Sequence, residues 1–197
     1  MRRKAGIGCI VLGVACLLAC LGLILNNRME AESASESSAR ILQNVQTAIR
    51  QNAAEYNEET KAELLQSTNP METGFEDCIG ILSIPVLELE LPVLSDWSYE
   101  QLKNAPCRYF GSVGEADFVI AAHNYPSQFG RLNQLREKDL ILFTDLSGKI
   151  YGYEVVLLET LQEEATEEMI TSGFDLSLYT CTTGGGSRVT VRCRKIQ

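Results

Sequence analysis

From Gly6 to Leu25 the chain carries no charged residue and consists mostly of Leu, Ile, Val, Ala, Gly and Cys. As a helix this stretch reaches about 30 Å, the thickness of one bilayer core. Met1-Arg2-Arg3-Lys4 stands in front of it, and basic residues before an apolar span hold that end in the cytoplasm. A cleaved signal peptide is the competing reading, but its apolar region usually runs about 7 to 15 residues and ends in a small-residue cleavage site. Here the span is longer and continues into Asn26-Asn27-Arg28, with Ala31 to Ala34 as a weak cleavage candidate. The sequence predicts an uncleaved single-pass anchor in the cell membrane, residues 1–25, with everything after Leu25 on the extracellular side.

The whole chain has a formal net charge of -9, and the part beyond the anchor is more acidic still once the leading basic residues are set aside. No Lys/Arg cluster of the kind that binds phosphate backbones is visible, so nucleic acid is excluded as a partner. Of the 7 cysteines, Cys9, Cys16 and Cys20 fall in the span, where a thiol is a small apolar side chain. Cys78, Cys107, Cys181 and Cys193 remain outside, in a compartment that permits disulfides. If one bridge forms among the three other than Cys181, Cys78 to Cys193 is the favoured pair, because both flank the folded core.

Residues 26–77 read as an extracellular stalk. Glu30 to Ser38 is Ser, Ala and Glu without apolar periodicity, whereas Ile41, Leu42, Val45, Ile49 and Tyr56 recur near helical spacing. That second part predicts an amphipathic helix that packs on the domain or leads to it. Ser67-Thr68-Asn69-Pro70 and Thr73-Gly74 then punctuate the chain.

From Cys78 the texture changes to short apolar runs between turns, a mostly β pattern. Strands are predicted at Ile79 to Ile84, Val86 to Leu94, Phe118 to Ala122, Leu140 to Thr144, Tyr151 to Leu158, Leu176 to Cys181 and Val189 to Cys193. Pro92 points to an edge or a bend. Short helices are expected at Ser98 to Asn104, with Ser98 as N-cap, and at Glu163 to Ile170. About seven or eight short strands in residues 78–197 define a small closed β-barrel or a sandwich.

The chain contains one histidine, His123, at the end of Phe118-Val119-Ile120-Ala121-Ala122 and before Asn124-Tyr125-Pro126. A lone histidine is more often structural than catalytic, but the end of an apolar strand is where a scaffold hands a side chain to a surface groove. The hairpin Leu176-Ser177-Leu178-Tyr179-Thr180-Cys181, Thr182 to Ser187, Arg188-Val189-Thr190-Val191-Arg192-Cys193 is the second feature. Strand side chains alternate in direction. Leu176 and Leu178 mark the core face of the first strand, and Val189, Val191 and Cys193 that of the second. Cys181 and Arg188 therefore flank one loop on the opposite face, with Arg192 on that face too, about 13 Å farther along. A thiol attacks as thiolate, and a nearby guanidinium favours that form or stabilises the oxyanion that follows attack. Alternation alone leaves open that Cys181 is a half-buried strand thiol.

Other chemistry is poorly supported. Thr182-Thr183-Gly184-Gly185-Gly186-Ser187 lacks the lysine and following helix of a phosphate-binding loop and reads as a hairpin turn. One histidine and scattered thiols offer no metal-ligand spacing. No cofactor is expected. Glu163, Glu164, Glu167 and Glu168 read as a solvated helix face, with calcium or a basic substrate as the alternative.

Taken in order, these segments resemble the sortases, exported cysteine transpeptidases of Gram-positive bacteria. Gly80-Ile81-Leu82-Ser83-Ile84-Pro85 and Leu91-Pro92-Val93 are similar to the family's opening strands, and Phe118 to Asn124 to its histidine strand. Phe129 through Leu135 to Asp139 is similar to the segment that follows. Leu178-Tyr179-Thr180-Cys181 resembles the Leu-x-Thr-Cys signature, and Arg188 to Arg192 the arginine strand. Glu137-Lys138-Asp139 departs from the Gly that family members often carry before the Asp. His123-Asn124 and the helical stalk lean toward class B.

The resemblance implies an eight-stranded sortase barrel. It implies that Cys181 attacks the carbonyl after a threonine in a C-terminal sorting signal, giving a thioester, and that His123 handles the proton of the leaving and incoming amines. Arg188 would bind the substrate backbone and the oxyanion, the Thr182 amide would be a second oxyanion donor, and Thr180 and Asn124 would help hold the signal. Residues 159–175 would form one wall of the groove. The partners it implies are secreted proteins bearing a sorting signal and an amine acceptor, such as a lipid-linked peptidoglycan precursor or a pilin lysine. Two readings of other classes stay open: a cysteine peptidase whose thioester is resolved by water, and a non-catalytic β-barrel binding module.

Overall fold

The computed structural model describes the backbone of residues 2–57 and 78–196. Helix α1, Arg2–Asn57, is continuous. No proline or glycine interrupts the chain between Leu23 and Asn57, so nothing forces a break at the end of the apolar segment. Ile10, Leu17, Leu18 and Leu23 are exposed, so this apolar segment is not a core helix of the barrel. The helix from Ile10 to Gln51 is long and apolar enough at its N-terminal end to cross a bilayer.

Glu30 to Ser38, read from sequence as aperiodic, is helical as well. The stripe that matters there is made of small residues: Ala34 and Ser38 are buried, then Val45, with Ile41, Leu42 and Ile49 partly buried beside them. Small side chains let the helix lie close against the barrel, where Ile41, Leu42, Val45 and Ile49 pack on Cys78, Ile81 and Leu146. The side chain of Tyr56 and the turn signals at residues 67–74 lie outside the described residues.

Eight strands form a closed barrel: β1 (Cys78–Ile84), β2 (Leu89–Leu94), β3 (Cys107–Phe110), β4 (Phe118–Ala121), β5 (Leu140–Asp145), β6 (Ile150–Gln162), β7 (Leu176–Cys181) and β8 (Ser187–Lys195). They close in the order β1-β2-β3-β4-β7-β8-β6-β5. The expected run Val86 to Leu94 is split: Pro85–Leu87 makes a single 3-10 turn, and Glu88 takes a left-handed φ of 52° before β2 begins. Pro92 pairs with Ile81 on one side, while β2 meets β3 only at Leu94, so the missing N–H of the proline leaves no ladder bond broken. The expected helix at Ser98 to Asn104 contracts to a 3-10 turn, Gln101–Lys103, whose Gln101 N–H donates to Ser98 Oγ at 3.0 Å. The second expected helix shortens to α2, Thr166–Ile170. Lys138, where the sortase pattern often has glycine, has a φ of 73°, which shows why glycine is favoured there.

Side-chain alternation divides the barrel wall into two faces. Phe118, Ile120, Leu176, Leu178, Val191 and Cys193 point into the interior core. Val119, Ala121 and Tyr179 point outward, where Leu94, Leu102, Leu161 and Met169 cover them in a second core. The favoured Cys78 to Cys193 bridge is corrected by this division. Cys193 lies inside the barrel and Cys78 outside it under α1, and both are free thiols.

Candidate active site

The register of the barrel assembles the site. Parallel pairing of β4 with β7 sets Ala121 opposite Tyr179. Two residues farther along each strand direction come His123 and Cys181. Antiparallel pairing of β7 with β8 sets Cys181 directly opposite Arg188. Adjacent strands in a sheet lie about 4.8 Å apart, so three neighbouring strand ends bring the histidine, the thiol and the guanidinium to one level. The two-residue period also turns all three to the outer face. The Tyr179 carbonyl accepts from the Ala122 N–H at 3.2 Å, and Thr180 Oγ1 donates to the Ala122 carbonyl at 2.9 Å, which ties the ends of β4 and β7 together.

His123, Cys181 and Arg188 line one open cleft of about 450 Å³ with Trp97, Tyr109 and Tyr179. Cys181 is exposed, whereas Cys78, Cys107 and Cys193 are buried. Burial pushes the Cys78 and Cys193 thiols up, and pushes Cys107 up to about 12. A water-borne thiol reagent therefore meets one accessible thiol in the barrel. Arg188 Nη1 lies 4.0 Å from Cys181 Sγ, and its guanidinium sits over the Tyr179 ring at 5.5 Å. The ring limits where that side chain can go, so the charge is held beside the sulfur.

His123 is oriented from behind. Its backbone N–H donates to Gln128 Oε1 at 3.0 Å, its carbonyl accepts from the Phe129 N–H at 3.2 Å, and its ring lies 4.9 Å from that of Tyr125. Gln128 is fully buried. Partial burial lowers the His123 pKa below the ordinary histidine value of 6.5; Glu30 on α1 pulls it up and Lys103 pulls it down by smaller amounts. The neutral imidazole therefore predominates at pH 7 and can accept a proton from a thiol. An activity that needs this base is expected to fall as pH drops through a pKa below 6.5. The single histidine gives one imidazole signal in an NMR titration, and a midpoint at or above the ordinary value would contradict the assignment.

Gly130 is what lets the histidine loop close. A Cβ there would meet the Tyr125 carbonyl carbon and oxygen, both at 2.8 Å, and Asn124 Oδ1 at 3.1 Å. Backbone cannot yield as a flexible side chain would. Gly130→Ala is expected to displace the His123 loop and lower acyl-transfer kcat/KM by about 10²-fold, the cost of misplacing a catalytic group by about 1 Å. Wild-type kcat/KM in that variant would show the loop to be adaptable.

One sequence expectation needs correction. The Thr182 N–H donates to the Ser187 carbonyl at 2.8 Å and so closes the hairpin, which leaves that amide committed and not directed at an oxyanion. Gly184 and Gly185, with φ of 97° and 79°, make the tight turn possible. Arg192 shares the face of Arg188 but is only 2% exposed. It donates to Glu159 Oε1 at 2.7 Å, Ser177 Oγ at 2.9 Å and the carbonyls of Glu168 and Met169 at 2.8 and 3.3 Å. The outer face is not solvent at that point, because the segment between β6 and β7 covers it. Thr180 is buried behind the site, and Asn124 is exposed at its rim.

Trp97, Tyr109, Tyr179 and Gln128 were not singled out from sequence. Each acts through a contact that only the fold creates, and only the alternation that puts Tyr179 on the face of Cys181 was legible. Among the described residues no cluster of three or more His, Cys, Asp or Glu side chains is placed to hold a metal ion.

A closed barrel that brings an exposed thiol, a guanidinium and an imidazole into one cleft defines a thiol acyl-transfer scaffold. The chain belongs to the sortase family, the cysteine transpeptidases: the family's sortase domain matches residues 82–196. No curated protein sequence matches it. Among solved structures it is similar to the pilus island 1 sortase C2 of Group B Streptococcus, at 25% identity over 62% of this chain and 76% of that one, with a TM-score of 0.56. Sortase C1 of Streptococcus suis is 26% identical over 61% of this chain and 74% of that one, with a TM-score of 0.55. A lid mutant of Corynebacterium diphtheriae sortase A shares the fold at 22% identity, covering 81% of this chain and 96% of that one, with a TM-score of 0.55.

Proposed function

We propose that this chain is a single-pass membrane transpeptidase, its N-terminus cytoplasmic and its barrel extracellular, that cleaves a C-terminal sorting signal and transfers the acyl group to an amine. The observation that carries this reading is the cross-strand pairing of Cys181 with Arg188 in the cleft that also holds His123. Cys181 attacks the carbonyl carbon of the scissile peptide bond as its thiol proton passes to His123. Arg188, 4.0 Å from the sulfur, supports the negative charge first on sulfur and then on the carbonyl oxygen. Collapse of the tetrahedral intermediate breaks the C–N bond, and His123 gives its proton to the departing amine. The acceptor amine then attacks the thioester, His123 takes a proton from it, and the Cys181 thiol is regenerated as the new amide forms.

Secreted proteins with a sorting signal are the acyl donors. A lipid-linked peptidoglycan precursor or a pilin lysine is the acceptor, and the anchor through residues 6–25 keeps the cleft where both emerge. No cofactor is needed for any step.

The test is product analysis of the full chain with a panel of sorting-signal peptides, with and without triglycine. The account expects a new amide product that depends on the amine. Cleavage at the same rate without amide formation would assign a peptidase. An intact panel, together with Cys181 that resists alkylation, would assign a binding module.

A further inference from the structure

The cleft lies unexpectedly close to the membrane-spanning segment. Asn27 of α1 lines it together with His123 and Cys181, and Glu30, one turn on, is near enough to act on the His123 pKa. The apolar segment ends at Leu25 and α1 runs on without a break. At 1.5 Å per residue, Asn27 stands only about 3 Å past that end. The headgroup layer on each side of a bilayer core is about 5 to 7 Å deep. A helix that spans the core therefore delivers the mouth of the cleft into this layer.

The cleft that Asn27 lines is rich in aromatic rings: Trp97, Tyr99, Tyr109 and Tyr179 line it as well. Trp97 and Tyr99, between β2 and β3, are 36% and 75% exposed. They begin a ladder of edge-packed rings: Tyr99 to Trp97 at 5.1 Å, Trp97 to Tyr109 at 5.6 Å, and Tyr109 to Tyr179 at 5.3 Å. Tyr179 is buried beneath Arg188, so the ladder leads from open surface to the reactive thiol. Trp and Tyr, apolar bodies with polar tips, concentrate at membrane interfaces. Charge in the segment that carries the pair is balanced: Asp96 and Glu100 stand against Lys103 and Arg108, and Arg108 lies 3.9 Å from Asp96.

We propose that Trp97 and Tyr99 dock in the headgroup layer of the bilayer that holds α1, so that the cleft opens onto the membrane surface. This rests on the reading of α1 as an uncleaved anchor. The contact is made by the rings and not by net charge, so it persists at high salt and in zwitterionic lipid.

Trp97 is the only tryptophan in the chain, so its emission reports the contact without labelling. The experiment reconstitutes the full chain in zwitterionic nanodiscs whose lipids carry bromine near the headgroup or near the chain ends. In the same discs, a Trp97→Phe, Leu18→Trp variant reports the anchor. The proposal expects Trp97 to lose about half or more of its emission to shallow bromines, less to deep ones, and equally at low and high salt. Leu18→Trp should be quenched by the deep bromines. If that variant is quenched and Trp97 is not, docking is wrong and the anchor stands; if neither is quenched, the anchor reading fails and docking with it. Quenching of Trp97 that disappears at high salt would overturn the aromatic contact.

Discussion

Cys181→Ala is expected to remove acyl transfer, by at least about 10³-fold, because among the described residues no second thiol lines the cleft to carry the covalent step. The three other barrel thiols, Cys78, Cys107 and Cys193, are buried. Stability should hardly change. The side chain is exposed, so its truncation opens no cavity, and surface substitutions usually stay within about 0.5 kcal/mol. Thermal unfolding beside an amide-formation assay separates the two effects. Turnover within tenfold of wild type would place the chemistry elsewhere.

The second large effect concerns stability. Arg192→Ala is expected to cost about 2 to 4 kcal/mol: Glu159, 31% exposed, is left partly solvated, but the buried groups that lose their donor cost about 1 to 3 kcal/mol each when unsatisfied. Four acceptors would lose their donor together: the Glu159 carboxylate, the Ser177 hydroxyl and the carbonyls of Glu168 and Met169. These bonds tie α2 and the end of β6 to β7 and β8, so the loss should fall first on the segment that walls the cleft. Urea unfolding gives the total, and amide hydrogen exchange across residues 159–175 locates it. Arg188→Ala is the comparison: Arg188 is only partly buried and pairs with a thiol at 4.0 Å. It should cost less than about 1 kcal/mol of stability while lowering kcat by about 10² to 10³-fold, the usual cost of losing one oxyanion donor. Equal stability losses for the two arginines would contradict the division of labour between them.

That division was only partly legible in the sequence. Alternation along Leu176 to Cys181 gave both limits of β7 and the face of its cysteine, because hydrophobic residues on one side and Tyr179 and Cys181 on the other leave one register. The same rule put Arg188 and Arg192 together, correctly as to face. It could not reveal that α2 and its loop cover Arg192 alone, since a covering segment adds nothing to a strand's own pattern. β3 escaped notice for a related reason. Cys107-Arg108-Tyr109-Phe110 has no alternation, and the strand touches β2 at one register position. β6 outran its predicted end at Leu158 because its partner β8 carries the ladder on to Gln162, opposite Ser187. The amphipathic part of α1 was visible through Ile41, Leu42, Val45 and Ile49. Its small-residue face at Ala34 and Ser38 was not, because close approach to a barrel leaves no hydrophobic period. The Thr182 amide was misjudged because its nearest acceptor, the Ser187 carbonyl, depends on how the glycine turn folds.

The central claim is a covalent acyl group on Cys181, and it can be weighed directly. The full chain is incubated with a cleavable sorting-signal peptide in the absence of amine, quenched in acid, and measured by intact mass and by peptide mapping. The account predicts an added mass equal to the N-terminal fragment of the peptide, carried on Cys181, sensitive to hydroxylamine and discharged by triglycine as the amide product appears. A peptide cleaved with no acyl adduct on Cys181, under quenching that preserves thioesters, would contradict it.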